Sequence, residues 1–174
     1  MIGGGGQWLI EAIYKNYSDF WYADWKVGNQ DDPERKIWSV LYETVAKKEQ
    51  IRNLQFLLNA SKEALEKKLT EIEAFAREND LEFWADVFKN ALKALHSEKP
   101  NADSFYFDLI MLKNYSLLAQ QLIFGAAAAW IFGAMGSWND MSFQEKDKNE
   151  KYEKLTEELY DAVIIALIAG INTY

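Results

Sequence analysis

Apolar residues recur along much of this chain at steps of three and four, the spacing of one face of an α-helix. From Gln7 to about Trp25, Leu9, Ile13, Tyr17, Phe20 and Trp21 keep that spacing and predict a first helix. Trp8, Tyr14, Tyr17, Phe20, Trp21, Tyr22 and Trp25 are too many rings for one stripe, so some should lie partly exposed. Gly28-Asn29 marks a loop. Asp32 then has the side chain of an N-cap, Pro33 suits a first helical position and Glu34 complements the helix dipole. A helix is therefore expected from Pro33. Ile37, Leu41 and Val45 form one stripe of it, Ile51, Leu54 and Leu58 another rotated from the first, with a bend or break at Lys47-Lys48-Glu49-Gln50.

Ser61 can cap a third helix that buries Leu65, Leu69, Ile72 and Ala76, and Asn79-Asp80 ends it. Asp80 opens a fourth, on which Leu81, Trp84, Phe88, Leu92 and Leu95 follow helical spacing, and residues 96–102 with Pro100 form a loop. Asp103 or Ser104 starts the most apolar stretch, Phe105 to Trp138, as one long helix or two broken near Lys113-Asn114-Tyr115-Ser116, ending at Gly136-Ser137. A last helix runs from about Glu145 to Ile171 with Tyr152, Leu155, Leu159, Val163, Ala166 and Gly170 inward.

No stretch carries a convincing β alternation and no repeat of 20–50 residues is visible. The expected fold class is thus all-α: a single-domain bundle of about six helices around a central apolar helix at about 105–137, with no sheet. Residues 7–174 would form that one α-helical domain, after a flexible Gly-rich leader over residues 1–6.

Residues 117–136 carry no charge and are long enough to span a bilayer, and Gly125, Ala129 and Gly133 form a small-residue series that brings helices close in lipid. Against a membrane span, Gln120 and Gln121 and the Ala/Gly richness weaken insertion, and the other amphipathic helices need an apolar surface to cover. The stretch is therefore expected inside the bundle, paired with residues 162–171 through its small residues.

Charge and composition narrow the function. With 27 Asp and Glu against 19 Lys and Arg, the net charge of −8 repels nucleic acid and anionic membranes and favours a basic partner. The absence of cysteine excludes disulfides, a thiolate zinc site and a cysteine nucleophile, and is compatible with the cytoplasm. The first residues lack a basic n-region and a cleavage site, so export by a secretory signal is not expected.

Candidate chemistry is sparse. His96 is the only histidine, at a predicted helix end, where a cation or a carbonyl partner is the ordinary role. One histidine excludes the paired Glu-x-x-His motif of di-iron bundles, and no serine has a histidine beside it except Ser97. There is no GxGxxG and no P-loop. Glu63, Glu66, Glu82 and Asp86 could hold magnesium, as carboxylates do in all-helical nucleoside triphosphate pyrophosphatases. Carboxylates at such spacing are more often a solvated helix face, as are Glu153, Glu157 and Asp161, so no cofactor or metal is expected in the favoured reading.

What stands out is aromatic and acidic. In residues 17–25 large rings alternate with acids, and Asp19, Phe20, Trp21, Tyr22, Asp24 and Trp25 have the composition of an interface anchor with a negative rim. Trp138, on the tight turn 136–140, is a second candidate. The plain alternative is that these rings are core. The expectation is a non-enzymatic, cytoplasmic protein-interaction module, like an immunity protein or antitoxin in size and charge, that binds a protein partner, a basic one by charge, or forms a homo-oligomer. The alternatives are the magnesium-dependent hydrolase and a membrane-associated helical protein.

Overall fold

Where the first helices were expected, the chain alternates with period two. A computed structural model describes residues 8–51, 55–100, 112–133 and 136–173. Within it, β1 (Leu9–Ile13), β2 (Ser18–Val27) and β3 (Trp38–Glu49) pair antiparallel in the order β1-β2-β3. The all-α, sheet-free reading is therefore corrected: the protein is α+β. In β2, Trp21, Ala23, Trp25 and Val27 alternate with Phe20, Tyr22, Asp24 and Lys26. Because rings and aliphatics occupy both sets, helical steps could be found among them by chance. The richness in aromatic and β-branched residues is the property that decides for strand.

The N-cap expected at Asp32 exists but caps no helix. Its Oδ1 accepts the amides of Glu34 at 2.9 Å and Lys36 at 3.2 Å. Arg35 then takes φ 58°, closing a single turn, and the Gly28 amide donates to the Ile37 carbonyl at 2.7 Å, which commits the chain to a hairpin. At the other end of β3 the pairing shifts register between Ser18 and Trp21. There Lys48 takes φ 57° and its amide donates to Asp19 Oδ1 at 2.8 Å. Asp19 thus holds an irregularity in the ladder.

The chain divides into two compact units, residues 5–54 with the sheet and residues 55–174 with the helices. In the second, α1 (Leu58–Glu78), α2 (Glu82–His96), α3 (Leu117–Ala128) and α4 (Lys146–Ile171) are the α-helices among the described residues, in place of the expected six or so. α1 packs against α2 and α4, and α3 against the same two. The expected stripe of α1 (Leu65, Leu69, Ile72, Ala76) is buried, as are all the inward positions expected on α4.

The apolar stretch is shorter in helix than expected. Ser116 caps α3 by accepting the Ala119 amide, and helix ends at Ala128, eight residues before Gly136. Residues 101–111, where that helix was to begin, and the leader at 1–6 lie outside the described residues. α3 is one wall of the bundle and not its axis. Its close approach to α4 runs through Gly170, where a Cβ would lie 2.7 Å from Ile123 Cγ1 and 3.2 Å from the Ala119 carbonyl oxygen. A Cβ at Gly125 would instead meet the Leu95 side chain of α2 at 2.5 Å. Gln121, buried in α3, accepts from Lys62 Nζ at 2.8 Å and donates to the Ser97 carbonyl at 2.9 Å, so its amide ties α3 to α1 and to the end of α2. Among the described residues no helix is long and apolar enough to cross a membrane.

Candidate interaction face

Register and alternation sort the sheet into two faces. Across β1, β2 and β3, Ile10 lies opposite Trp21, which lies opposite Thr44; Ala23 lies opposite Tyr42, Trp25 opposite Val40 and Val27 opposite Trp38. Trp8, two residues before Ile10, continues this face. None of these side chains is charged. Six are about half uncovered: Trp8 51%, Ile10 53%, Trp25 59%, Val27 52%, Trp38 56% and Tyr42 52%. The Trp25 and Trp38 rings meet edge to face at 6.4 Å.

The opposite face is mixed. Leu9, Tyr22 and Glu43 form one row of it, and Glu11, Phe20 and Ala46 another. Asp24 lies here and pairs with Lys26 at 2.7 Å, a bond that raises the lysine pKa. The stretch singled out in the sequence is therefore split. Trp21 and Trp25 belong to the aromatic face, with Asp19 at its end opposite Ala12 and engaged with the Lys48 amide, and Phe20, Tyr22 and Asp24 belong to the other. Of the negative rim expected around the rings, Asp19 is on their face and Asp24 is not. Ile10, Val27, Trp38, Val40 and Tyr42 were missed, although period-two counting of residues 38–44 would have found three of the five.

Trp138 is core. It is fully buried, its Nε1 donates to Thr156 Oγ1 at 2.8 Å, and its carbonyl accepts from the Tyr152 hydroxyl at 2.6 Å. Rings of Trp84, Phe88 and Tyr152 surround it at 5.0 to 5.6 Å. Burial pushes the Tyr152 hydroxyl up to about 12, so it is a neutral donor.

The carboxylates weighed for magnesium are dispersed. Glu66 pairs with His96 Nε2 at 3.0 Å, while Glu82 and Asp86 both reach Arg77, at 2.8 and 3.3 Å, together with Glu73 at 2.7 Å. Glu63 is exposed. Among the described residues no group of three or more His, Asp or Glu side chains is placed to hold a metal ion. Elsewhere Lys68 bridges α1 and α4 by donating to Glu158 at 2.8 Å and Glu71 at 2.9 Å. These bonds raise the Lys68 pKa, and Lys68 lowers that of Glu158. A cleft of about 460 Å³ between the start of α1 and the end of α4 is lined by Phe56, Ile165, Ile168 and other residues without an ionisable group.

Charge is distributed unevenly. Residues 5–54 hold seven Lys and Arg against eight Asp and Glu, which leaves 12 against 19 in residues 55–174. The acidity belongs to the helical unit and most of the open rings to the sheet, Phe83 and Trp130 being open rings of the helical unit. Compared with protein families, with curated proteins and with solved structures, the chain has no significant match.

Proposed function

We propose that this is a protein-interaction module whose contact surface is the aromatic face of its sheet. One observation carries the reading: six large or branched apolar side chains lie about half open, side by side, on a face where Asp19 stands only at one end. Scattered exposed apolar residues are normal, but a contiguous set that includes three tryptophans has the composition of a binding hot spot. A role like that of an immunity protein or antitoxin, gripping a basic partner, draws support from the net charge of −8. That attraction would come from residues 55–174, steering the approach while the sheet supplies the grip. A cytoplasmic place is part of the proposal, supported by the lack of cysteine.

A photo-crosslinking side chain in place of Val27 tests the reading in cells, with mass spectrometry identifying the chain it captures. Position 27 should yield one defined cross-linked protein, and the same label in place of Glu63 should not. Absence of any cross-link from Val27 and from Val40 would remove the face as a contact surface.

A further inference from the structure

We infer that the occupant of this face is a second copy of the chain, the two three-stranded sheets stacking face to face as a six-stranded sandwich. The inference rests on the interaction reading and names its partner. Three observations favour a copy over a basic protein.

The first is charge. A basic partner finds little free carboxylate on the face, since Asp24 is paired with Lys26 on the opposite side and Asp19, at the end of the face, already accepts the Lys48 amide. A copy brings the same uncharged rows, on a unit with seven positive and eight negative side chains, so the docking sheets repel little.

The second is shape. Sheets of like twist stack aligned about 10 Å apart, and an identical sheet has the matching twist by construction. The edge-to-face pair of Trp25 and Trp38 stands at one end of the face, and Trp21 with Ile10 farther along it. A two-fold axis between the middle rows would lay Trp25 of one copy over the flatter Ala23 and Tyr42 row of the other, and the Trp38 row over that of Trp21 and Thr44.

The third is area. The six half-open side chains offer about 100 Å² each, taking half of what a large side chain presents. That gives on the order of 600 Å² per copy and 1,200 Å² in total, the lower edge of what specific interfaces bury. A three-stranded sheet also gains most from packing one face against another layer. An interface of this size predicts a dimer that dissociates on dilution.

Sedimentation of the full chain over a dilution series tests this. The expected result is a particle of twice 20.2 kDa at high concentration that falls to the single-chain mass on dilution. Trp25→Ala with Trp38→Ala should raise the dissociation constant at least tenfold, and Lys26→Ala, on the opposite face, should leave it unchanged. Should the double variant lose its circular dichroism, the dilution series of the unaltered chain together with Tyr42→Gln decides in its place. A single-chain mass at every concentration overturns the inference, as does a dimer that Trp25→Ala/Trp38→Ala leaves intact in a folded protein. If the chain is monomeric while the label at Val27 captures a different protein, the second copy falls and the interaction reading stands. If it captures nothing at all, both fall.

Discussion

Trp138 and Trp25 are the same side chain put to opposite uses. Trp138 has no exposed surface, a hydrogen bond for its indole N–H and three aromatic neighbours, whereas Trp25 stands 59% exposed beside Trp38. The contrast holds for the units around them. In residues 55–174 the expected apolar stripes of α1 and α4 are buried against one another, and polar groups such as Gln121 and Thr156 find partners. In residues 5–54 the apolar residues are arranged as regularly, in register across three strands, yet they remain open. Regular apolar order without burial is what separates a surface kept for binding from a core.

The sharpest way to break the comparison is to truncate each ring. Trp138→Ala should cost about 3–5 kcal/mol, lowering the melting temperature of the helical unit and removing the indole N–H that Thr156 Oγ1 accepts, while the residue 138 carbonyl can still accept from Tyr152. Trp25→Ala should leave that melting transition within about 0.5 kcal/mol of the unaltered protein while weakening association. Equal losses in calorimetry would place both rings in cores.

Next come the small residues. Ala129→Leu should destabilise by about 1–3 kcal/mol through overpacking, because Ala129 has no exposed surface. Gly170→Ala should fall in the same range, since its Cβ meets Ile123 and the Ala119 carbonyl and the backbone cannot give way easily. Chemical denaturation reads both; an unchanged midpoint for Gly170→Ala would mean that α3 and α4 lie farther apart than described.

The electrostatic effects are smaller and set by pH. Glu158 has a lowered pKa, so its contribution is present above the ordinary carboxylate range and is lost as the pH falls through its folded value. Lys68 has a raised pKa, so its contribution is present below the ordinary lysine value and is lost as the pH rises through its folded one. The α1–α4 bridge therefore helps across neutral pH and fades at both ends. Lys68→Met should cost under about 1 kcal/mol at pH 7, and less as the pH falls through the folded pKa of Glu158. Tyr152, raised to about 12, adds a separate loss of stability between pH 10 and 12, which Tyr152→Phe should abolish.

The helical half was legible in the sequence for a physical reason. Leu65, Leu69, Ile72 and Ala76, or Tyr152 to Gly170, set one apolar stripe against charges, and only period 3.6 fits such a pattern. The sheet was not, because β2 is apolar on both faces and the Asp32-Pro33-Glu34 signal is used for one turn and not for a helix. Capping chemistry is local; whether a helix follows depends on the next residues, and Arg35 at positive φ ends the matter there. The candidate site suffered the same way. Reading residues 17–25 as one helical surface joined the rings to Asp24, which alternation along a strand puts on the other face, while Asp19 stays on the face of Trp21 and Trp25 and holds the Lys48 amide. His96, expected at its helix end as a cation or the partner of a carbonyl, pairs with the Glu66 carboxylate.

Hydroxyl-radical footprinting of the full chain tests the open aromatic face most directly, because it reports the solvent access of each ring separately. In dilute solution Trp25 and Trp38 should be oxidised rapidly while Trp138 is spared, and raising the concentration should protect Trp25 and Trp38 without changing Trp138. If Trp25 and Trp38 are as protected as Trp138 at every dilution, the face is a core and the account of this protein as an interaction module is wrong.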